Sequence, residues 1–349
     1  MNVNTIQDQL ETNRRTVGFD SYDLAVRQLA DMLLEGMIDI APAYQRHFVW
    51  NAERQSELIE SLLLGIPVPS LFMATNKNST WEVIDGLQRL TTIINFLATE
   101  AQIAAVNPST KKLRLTGLEK LAAINGLTFE ELPKSVQLMF LTRPIRVTVL
   151  NDRSDFSVRY DLFERLNTGG ISLHPQEIRN CIFIGEFNDF IKKCSKNKHF
   201  LSTIRLPKDA EKSGNIEELV LKFFAYFEKP DDFVHSVEGF LNGYMAGKTS
   251  SFKNEKALKK IFESTFNVLA QALPDGIVRA PRKNTTPLVL FEAISVGTAK
   301  AIAEGNQVSH EKLRALLDNA KLKKLTTGAT NSRKMLLGRI SFVRDGCIQ

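Results

Sequence analysis

Cysteine is scarce in this 349-residue chain, which has only Cys181, Cys194 and Cys347. Three scattered cysteines are too few for a disulfide framework, and neither they nor the five histidines show the spacing of zinc ligands. The sequence also has no apolar run long enough to cross a membrane. Residues 1–15 are polar, whereas a signal peptide needs an apolar centre. We therefore expect a cytoplasmic protein without a zinc site or a disulfide framework.

Familiar catalytic motifs are absent as well. The sequence has no Gly-x-x-x-x-Gly-Lys-Ser/Thr loop and no His-Asn-His pattern after residue 185. No Ser-His-Asp or Cys-His arrangement can be assigned either. A nuclease active site is therefore not expected in this chain.

The composition is that of an ordinary soluble protein, with 43% hydrophobic and 24% charged residues, and the length allows two subdomains. Charge is spread unevenly. Residues 1–100 hold seven Lys and Arg against thirteen Asp and Glu, whereas residues 101–349 hold 38 against 26. A basic C-terminal part suits the phosphate backbone of nucleic acid, although solvated surface lysines would give the same composition.

The most informative stretch runs from Trp81 to Leu97. It begins with a short β-type run, turns at Asp85-Gly86, and continues with apolar residues at helical spacing. A strand that enters a helix through glycine leaves backbone N–H groups at the helix start, and these groups attract phosphate. Gln88 and Arg89 lie in the first turn, where both side chains can join them. A tight turn followed by an arginine on a solvated face is the alternative interpretation.

The hydrophobic pattern predicts an α/β part followed by a helical part. It predicts a helix from Ser21 to Gly36, strands at 38–40, 71–74, 81–84 and 144–150, a short strand at 111–115, and helices at 53–64 and 154–166. From 186 onward nearly everything is helical, with candidate helices at 186–195, 216–227, 231–247, 253–273, 286–304, 309–320 and 331–344. Residues 1–18 are expected to form a loose arm.

Two further segments accompany the central one, and the three together identify a resemblance. They are Pro42–Trp50, upstream, and Phe163–Leu173, downstream. The ordered set resembles the prokaryotic family called domain of unknown function 262, which includes the N-terminal parts of GmrSD-type modification-dependent restriction enzymes and of phosphorothioate-sensing SspE defence proteins. The family hallmark is Asp-Gly-Gln-Gln-Arg, and here Leu87 replaces its middle Gln. The resemblance is strong over about residues 20–185 and weaker from there to the C-terminus.

The resemblance implies a fold similar to ParB and sulfiredoxin. We therefore expect an α+β chain in which a small ParB/sulfiredoxin-like α/β unit precedes a mainly α-helical unit. The expected domains are an arm at 1–18, a nucleotide-binding domain at 19–185 and a helical domain at 186–349.

The resemblance also implies a nucleotide site. Gly86 would let the backbone approach the ligand, and Arg89 offers a planar fork suited to phosphate. The expected catalytic residues are Asp85, Gln88 and Arg89, and the expected nucleotide-binding residues are Tyr44, Gln45, Arg46, Gly86, Arg165, Asn167, Thr168 and Gly169. Two alternatives stay open, in which the aromatic residues near 44–50 anchor a loop and residues 167–170 form a helix C-cap and turn.

Basic residues near the C-terminus are candidates for contact with DNA. We single out Arg279, Arg282 and Lys283, and a second set follows at Lys321, Lys323, Lys324, Arg333 and Lys334. Solvated loops are an equally good interpretation of both sets.

Two hypotheses follow from the resemblance. In the first, a nucleoside triphosphate binds around Asp85–Arg89, and its binding or hydrolysis controls a DNA-directed activity in anti-phage defence or modification-dependent restriction. In the second, the chain is a non-catalytic DNA- or partner-binding subunit that keeps the fold without turnover. Expected partners are DNA, a separate nuclease or other defence subunit, and a second copy of the chain. The resemblance leaves open whether Mg²⁺ binds together with the nucleotide.

Overall fold

The architecture is α+β, with a mixed sheet in the N-terminal part and a mainly helical C-terminal part. The structure is a computed structural model that describes residues 18–40, 48–76, 78–151, 160–162, 164–165, 174–207, 214–279 and 284–349. The chain divides into two units, Met1–Ser172 and Leu173–Gln349. None of the described helices is both long enough and apolar enough to cross a membrane.

The first unit is built on a five-stranded sheet with the order β1-β5-β3-β4-β2. Its strands are β1 (Phe19–Ala25), β2 (Ile38–Asp39), β3 (Leu71–Thr75), β4 (Trp81–Asp85) and β5 (Pro144–Leu150). The pairs β1–β5 and β3–β4 are antiparallel, whereas β2–β4 and β3–β5 are parallel. The predicted strands at 38–40, 71–74, 81–84 and 144–150 are thus confirmed within a residue or two.

The helices of the first unit place apolar faces in a common core. They are α1 (Val26–Leu34), α2 (Ala52–Leu64), α3 (Leu87–Leu97), α4 (Glu100–Val106) and α5 (Lys134–Leu141), with short 3₁₀ turns at Ala122–Ile124 and Phe129–Glu131. The central helix α3 buries Leu90, Ile93, Ile94 and Phe96 almost completely. Burial on this scale contributes roughly 1.5–3 kcal/mol for each large side chain, so α3 is anchored by its core face.

Two predictions for the first unit are wrong. Residues from Ser21 to Ala25 belong to strand β1 rather than to a helix, because they pair with β5 along their whole length. Residues 111–115 form no strand. The backbone hydrogen bonds of this segment run to two different parts of the chain and not to one strand. Leu113 N donates to Asn95 O (2.7 Å), and Leu115 N donates to Leu127 O (3.0 Å).

The second unit begins before the predicted boundary near 185. Its helices are α6 (Pro175–Ile182), α7 (Glu186–Cys194), α8 (Lys198–Thr203), α9 (Asn215–Glu228), α10 (Val237–Ser250), α11 (Glu255–Ala272), α12 (Leu288–Ala303), α13 (His310–Leu317), α14 (Ala320–Leu325) and α15 (Arg333–Gly346). Phenylalanine rings from α8, α9 and α11 pack together in its core, with Phe262 and Phe266 centroids 4.5 Å apart. The predicted helix at 231–247 begins later, because the Ser236 side chain caps the N-terminus by accepting a bond from Gly239 N.

A chain of buried ion pairs links four helices of the second unit. Arg179 of α6 contacts Glu218 of α9 (3.0 Å), and Lys222 of α9 reaches Glu218 (3.0 Å) and Glu292 of α12 (4.0 Å). Glu292 in turn accepts a bond from Arg339 of α15 (2.7 Å). Burial alone would raise the pKa of Glu218, but Lys222 and Arg179 outweigh it and hold that pKa below its ordinary value. No sequence motif pointed to this network.

Candidate functional site

The turn between β4 and α3 is closed by a glycine that no other residue replaces easily. Gly86 has φ +105°, in the left-handed region, and it precedes Leu87 without a side-chain cap. A Cβ atom at this position would overlap Cδ2 of the buried Leu71. Backbone conformation and packing therefore both demand glycine, and the chain passes from the sheet edge directly into a helix start.

Arg89 points into the protein and holds this turn. Its Nη2 donates to Asp85 Oδ2 at 2.8 Å, and its Nη1 donates to the carbonyl oxygens of Pro69 and, at 3.2 Å, of Ser70. The side chain is only 12% exposed, against 33% for Asp85. Burial lowers the pKa of Arg89, while the Asp85 carboxylate opposes that shift. The guanidinium thus ties the start of β3 to the β4–α3 turn instead of facing solvent.

Gln88 connects the same turn to the segment before α2. Its Oε1 accepts from the backbone N–H groups of Val49 (3.1 Å) and Trp50 (3.2 Å). Trp50 O accepts from Gln55 Nε2 (3.0 Å), and Gln55 Oε1 accepts from the buried Asn95 of α3 (3.1 Å). These bonds cross-link α2 and α3, so the turn is rigidly positioned before any ligand arrives.

The first turn of α3 retains capacity to bind an anion. Leu90 N makes the first backbone bond of the helix, to Gly86 O at 2.9 Å. In the part of the chain that the structure describes, the backbone N–H groups of Leu87 and Arg89 have no hydrogen-bond partner, and the first turn contains no acidic residue. Leu87, Gln88 and Arg89 are partly exposed. Such a helix start presents partial positive charge to a negatively charged group.

The other predicted nucleotide-binding residues cannot be placed beside this turn. Tyr44, Gln45 and Arg46 lie outside the described residues, and so do Asn167, Thr168 and Gly169. Arg165 is exposed within the short described stretch 164–165. The structure therefore brings together Asp85, Gly86, Gln88 and Arg89, while the remaining residues of the set stay predictions.

Among the residues singled out for DNA contact, Arg279 has partners inside the second unit. Its Nε donates to Leu317 O (2.7 Å) and its Nη2 to Thr326 Oγ1 (3.0 Å), and burial lowers its pKa. These bonds favour a structural role that joins the segment after α11 to the ends of α13 and α14. Arg282 and Lys283 lie outside the described residues.

A groove of about 480 Å³ runs along α10 in the second unit. Its lining includes Gly239, Gly243 and Gly247 and the aromatic residues Phe240 and Tyr244. Its lysines are already paired, since Lys229 contacts Asp232 at 3.2 Å and Lys248 contacts Glu228 at 2.6 Å. Because its cations are neutralised, the groove suits a phosphate-bearing ligand less well than the start of α3 does.

Comparisons with known proteins show a similarity over the N-terminal part of the chain. Residues 27–184, just under half of the chain, match the model of a family described as GmrSD restriction endonuclease, N-terminal domain. No curated protein matches the chain. A solved structure of a Pnob8-like ParB-N domain aligns over 95% of this chain and 96% of its own, with 14% identity. Its TM-score of 0.23 is too low for it to carry any argument. Residues 27–184 are therefore similar to the N-terminal domain of GmrSD-type restriction endonucleases.

Proposed function

We propose that this protein acts on DNA in modification-dependent restriction or anti-phage defence, and that a nucleoside triphosphate bound at the β4–α3 turn controls that activity. The family match over residues 27–184 supports the first part of the proposal. The geometry of the turn supports the second part.

The observation that carries the nucleotide site is the start of α3. Gly86, with its positive φ, turns the chain from β4 directly into the helix start, and the N–H groups of Leu87 and Arg89 have no partner in the described part of the chain. Phosphate binding at a glycine-led helix start uses these two features together. A bound Mg²⁺ would neutralise phosphate charge and would itself be held largely by phosphate oxygens.

The contacts of Asp85 and Arg89 change the roles that the sequence suggests for them. Each is the other's ion-pair partner, and Arg89 also bonds two backbone carbonyls. We therefore assign Arg89 to positioning the turn and not to clamping a phosphate. This arrangement, together with Leu87 in a place where the family has Gln, favours the second hypothesis of a non-catalytic DNA- or partner-binding subunit that keeps the fold without turnover.

A single isosteric substitution tests the site. In Gln88→Glu, a carboxylate oxygen can still accept the bonds from Val49 N and Trp50 N, so the fold should be kept. The added negative charge lies in the first turn of α3 and should repel a triphosphate. At an interaction free energy of roughly 1–4 kcal/mol for charges about 4 Å apart, we expect affinity to fall about tenfold or more, measured by calorimetry with ATP and GTP in the presence of Mg²⁺.

Gln102→Glu is the matched control. Gln102 lies in the same unit, and its Oε1 accepts from Thr99 N in the capping box of α4, so the substitution adds the same charge at a similar helix start. Equal affinity for Gln88→Glu and wild type, with both folded, would remove the β4–α3 turn from the proposal. Phosphate release with and without DNA then separates the two hypotheses, because binding without release supports the non-catalytic subunit.

A further inference from the structure

The second unit ends in an antiparallel helical hairpin formed by α14 and α15. Cδ2 of Leu325, at the end of α14, lies 3.6 Å from the position that a Cβ atom would take at Gly338 of α15. Lys321, at the start of α14, places Nζ 5.1 Å from the ring centroid of Phe342, further along α15. This register brings the last turn of α14 and the first turn of α15 to the same end of the hairpin.

That end of the hairpin is strongly basic. Between Asp318 and Asp345 the sequence has seven Lys and Arg residues and no Asp or Glu. Four exposed cations lie at the closed end, and we call them the hairpin surface. They are Lys323, Lys324, Arg333 and Lys334.

Few carboxylates compensate this charge. Arg333 pairs with Asp231 at 3.0 Å, and both side chains are exposed. Within the described residues, no carboxylate lies at ion-pair distance from Lys323, Lys324 or Lys334. The excess of positive charge at the hairpin surface is therefore carried by three lysines.

Helix stability does not account for all of these positions. Cations in the first turn of a helix oppose the helix dipole and lower the stability of the helix. The first turn of α15 contains Arg333 and Lys334 and no acidic residue. By contrast, α9, α10, α11 and α13 of the same unit all begin with Glu in the first turn. The cations of α15 are thus better explained by an anionic partner than by the helix itself.

We propose that the hairpin surface binds the phosphate backbone of duplex DNA. The inference rests on the proposed function, in which DNA is the anionic polymer on which the protein acts. Contacts of this kind neutralise phosphates and position the protein, and they read no base sequence. The exposed Asn331, in the turn between the helices, adds a neutral hydrogen-bonding group beside the lysines.

The test is DNA binding by the full chain at several salt concentrations, measured by fluorescence anisotropy with a short labelled duplex. The test variant is K323Q/K324Q/K334Q. The matched control is K253Q/K256Q/K260Q, which removes three exposed lysines from the start of α11 and the segment before it in the same unit. A third variant, K323R/K324R/K334R, keeps the charge. Circular dichroism and thermal melting establish that every variant is folded.

We expect the slope of log affinity against log salt to become shallower by about 0.9 for each phosphate contact removed, and so by about 2–3 in the test variant. The slopes of the control and of the arginine variant should differ from the wild-type slope by no more than about 0.9, the value of one phosphate contact. An equally shallow salt slope in the test variant and in the control would overturn the inference, because DNA binding would then depend on net charge alone. The inference would also fail if an acidic peptide of equal charge bound the hairpin surface with the salt slope of DNA.

The experiment distinguishes failure of the inference from failure of the proposed function. If the test variant bound DNA with the same affinity and salt slope as the wild type, the DNA-binding surface would lie elsewhere on the protein. The proposed function would then still stand. No wild-type binding at low salt, with or without ATP or GTP, would overturn both the hairpin surface and a direct action on DNA. Nucleotide affinity, measured on the same samples, should be the same in all variants because the substitutions lie outside the first unit.

Discussion

At the scale of single residues, Gly86 and Arg89 both have structural roles in the β4–α3 turn. The sequence suggests a glycine that admits a ligand and an arginine that binds its phosphate. The structure shows instead that Gly86 leaves space for Leu71 and that Arg89 holds Asp85 and two carbonyl oxygens. The Asp-Gly turn and the helical spacing were predictable because both are local. The inward direction of Arg89 was not, because its carbonyl partners at residues 69–70 belong to another part of the chain.

We expect Gly86→Ala to destabilise the first unit by about 2–4 kcal/mol. This estimate adds a backbone cost of roughly 1–2 kcal/mol for a left-handed alanine to at least 1 kcal/mol for overpacking against Leu71. Gly36→Ala is the control, because Gly36 also has positive φ (+73°) but a Cβ atom there would contact nothing within 4 Å. Denaturant titration measures both variants. A Gly86→Ala cost no larger than that of Gly36→Ala would contradict the packing argument.

At the scale of elements, strand β1 shows where local pattern fails. Residues 26–34 have the apolar spacing of a helix and form α1, whereas Phe19–Asp23 just before them are exposed and do not alternate between buried and exposed positions. Their strand conformation comes from pairing with β5, which lies more than a hundred residues further along the chain. The helices of the second unit were predicted more accurately, because the apolar spacing of a helix is local.

The buried ion pairs that join α9, α12 and α15 give a prediction at the same scale. Glu292→Gln leaves the charge of Arg339, which is only 1% exposed, without a carboxylate. We expect a loss of about 3–5 kcal/mol in the free energy of unfolding, because one partner of a buried pair is removed. Glu304→Gln breaks an exposed pair with Arg344 at 3.5 Å and should cost no more than about 1 kcal/mol. Denaturant titration measures the free energy of unfolding of both variants. A similar loss in the two would show that the buried ion pairs do not hold these helices together more strongly than an exposed pair does.

At the scale of the whole molecule, the two units should respond differently to acid. Glu218 and Glu228 in the second unit have pKa values below their ordinary value of 4.5; burial would raise both, but Lys222 and Lys248 with neighbouring hydrogen-bond donors outweigh it. A carboxylate with a lowered folded-state pKa contributes stability that is complete above the unfolded-state pKa and is lost as the pH falls through the folded-state value. The second unit should therefore lose stability below about pH 4.5. In the first unit, the lowered pKa values of Asp23, Glu130 and Glu131 belong to exposed side chains, whose ion pairs contribute little.

The chain contains its own reporters for this difference. Both tryptophans, Trp50 and Trp81, lie in the first unit, whereas most helical residues lie in the second. In an acid titration we expect far-UV circular dichroism to change at a higher pH than tryptophan emission does. Glu218→Gln should reduce the separation between the two transitions, because the glutamine cannot be protonated and its contribution no longer depends on pH. Coincident transitions in the wild type would mean that the two units unfold together, and that the buried carboxylates of the second unit do not decide its stability in acid.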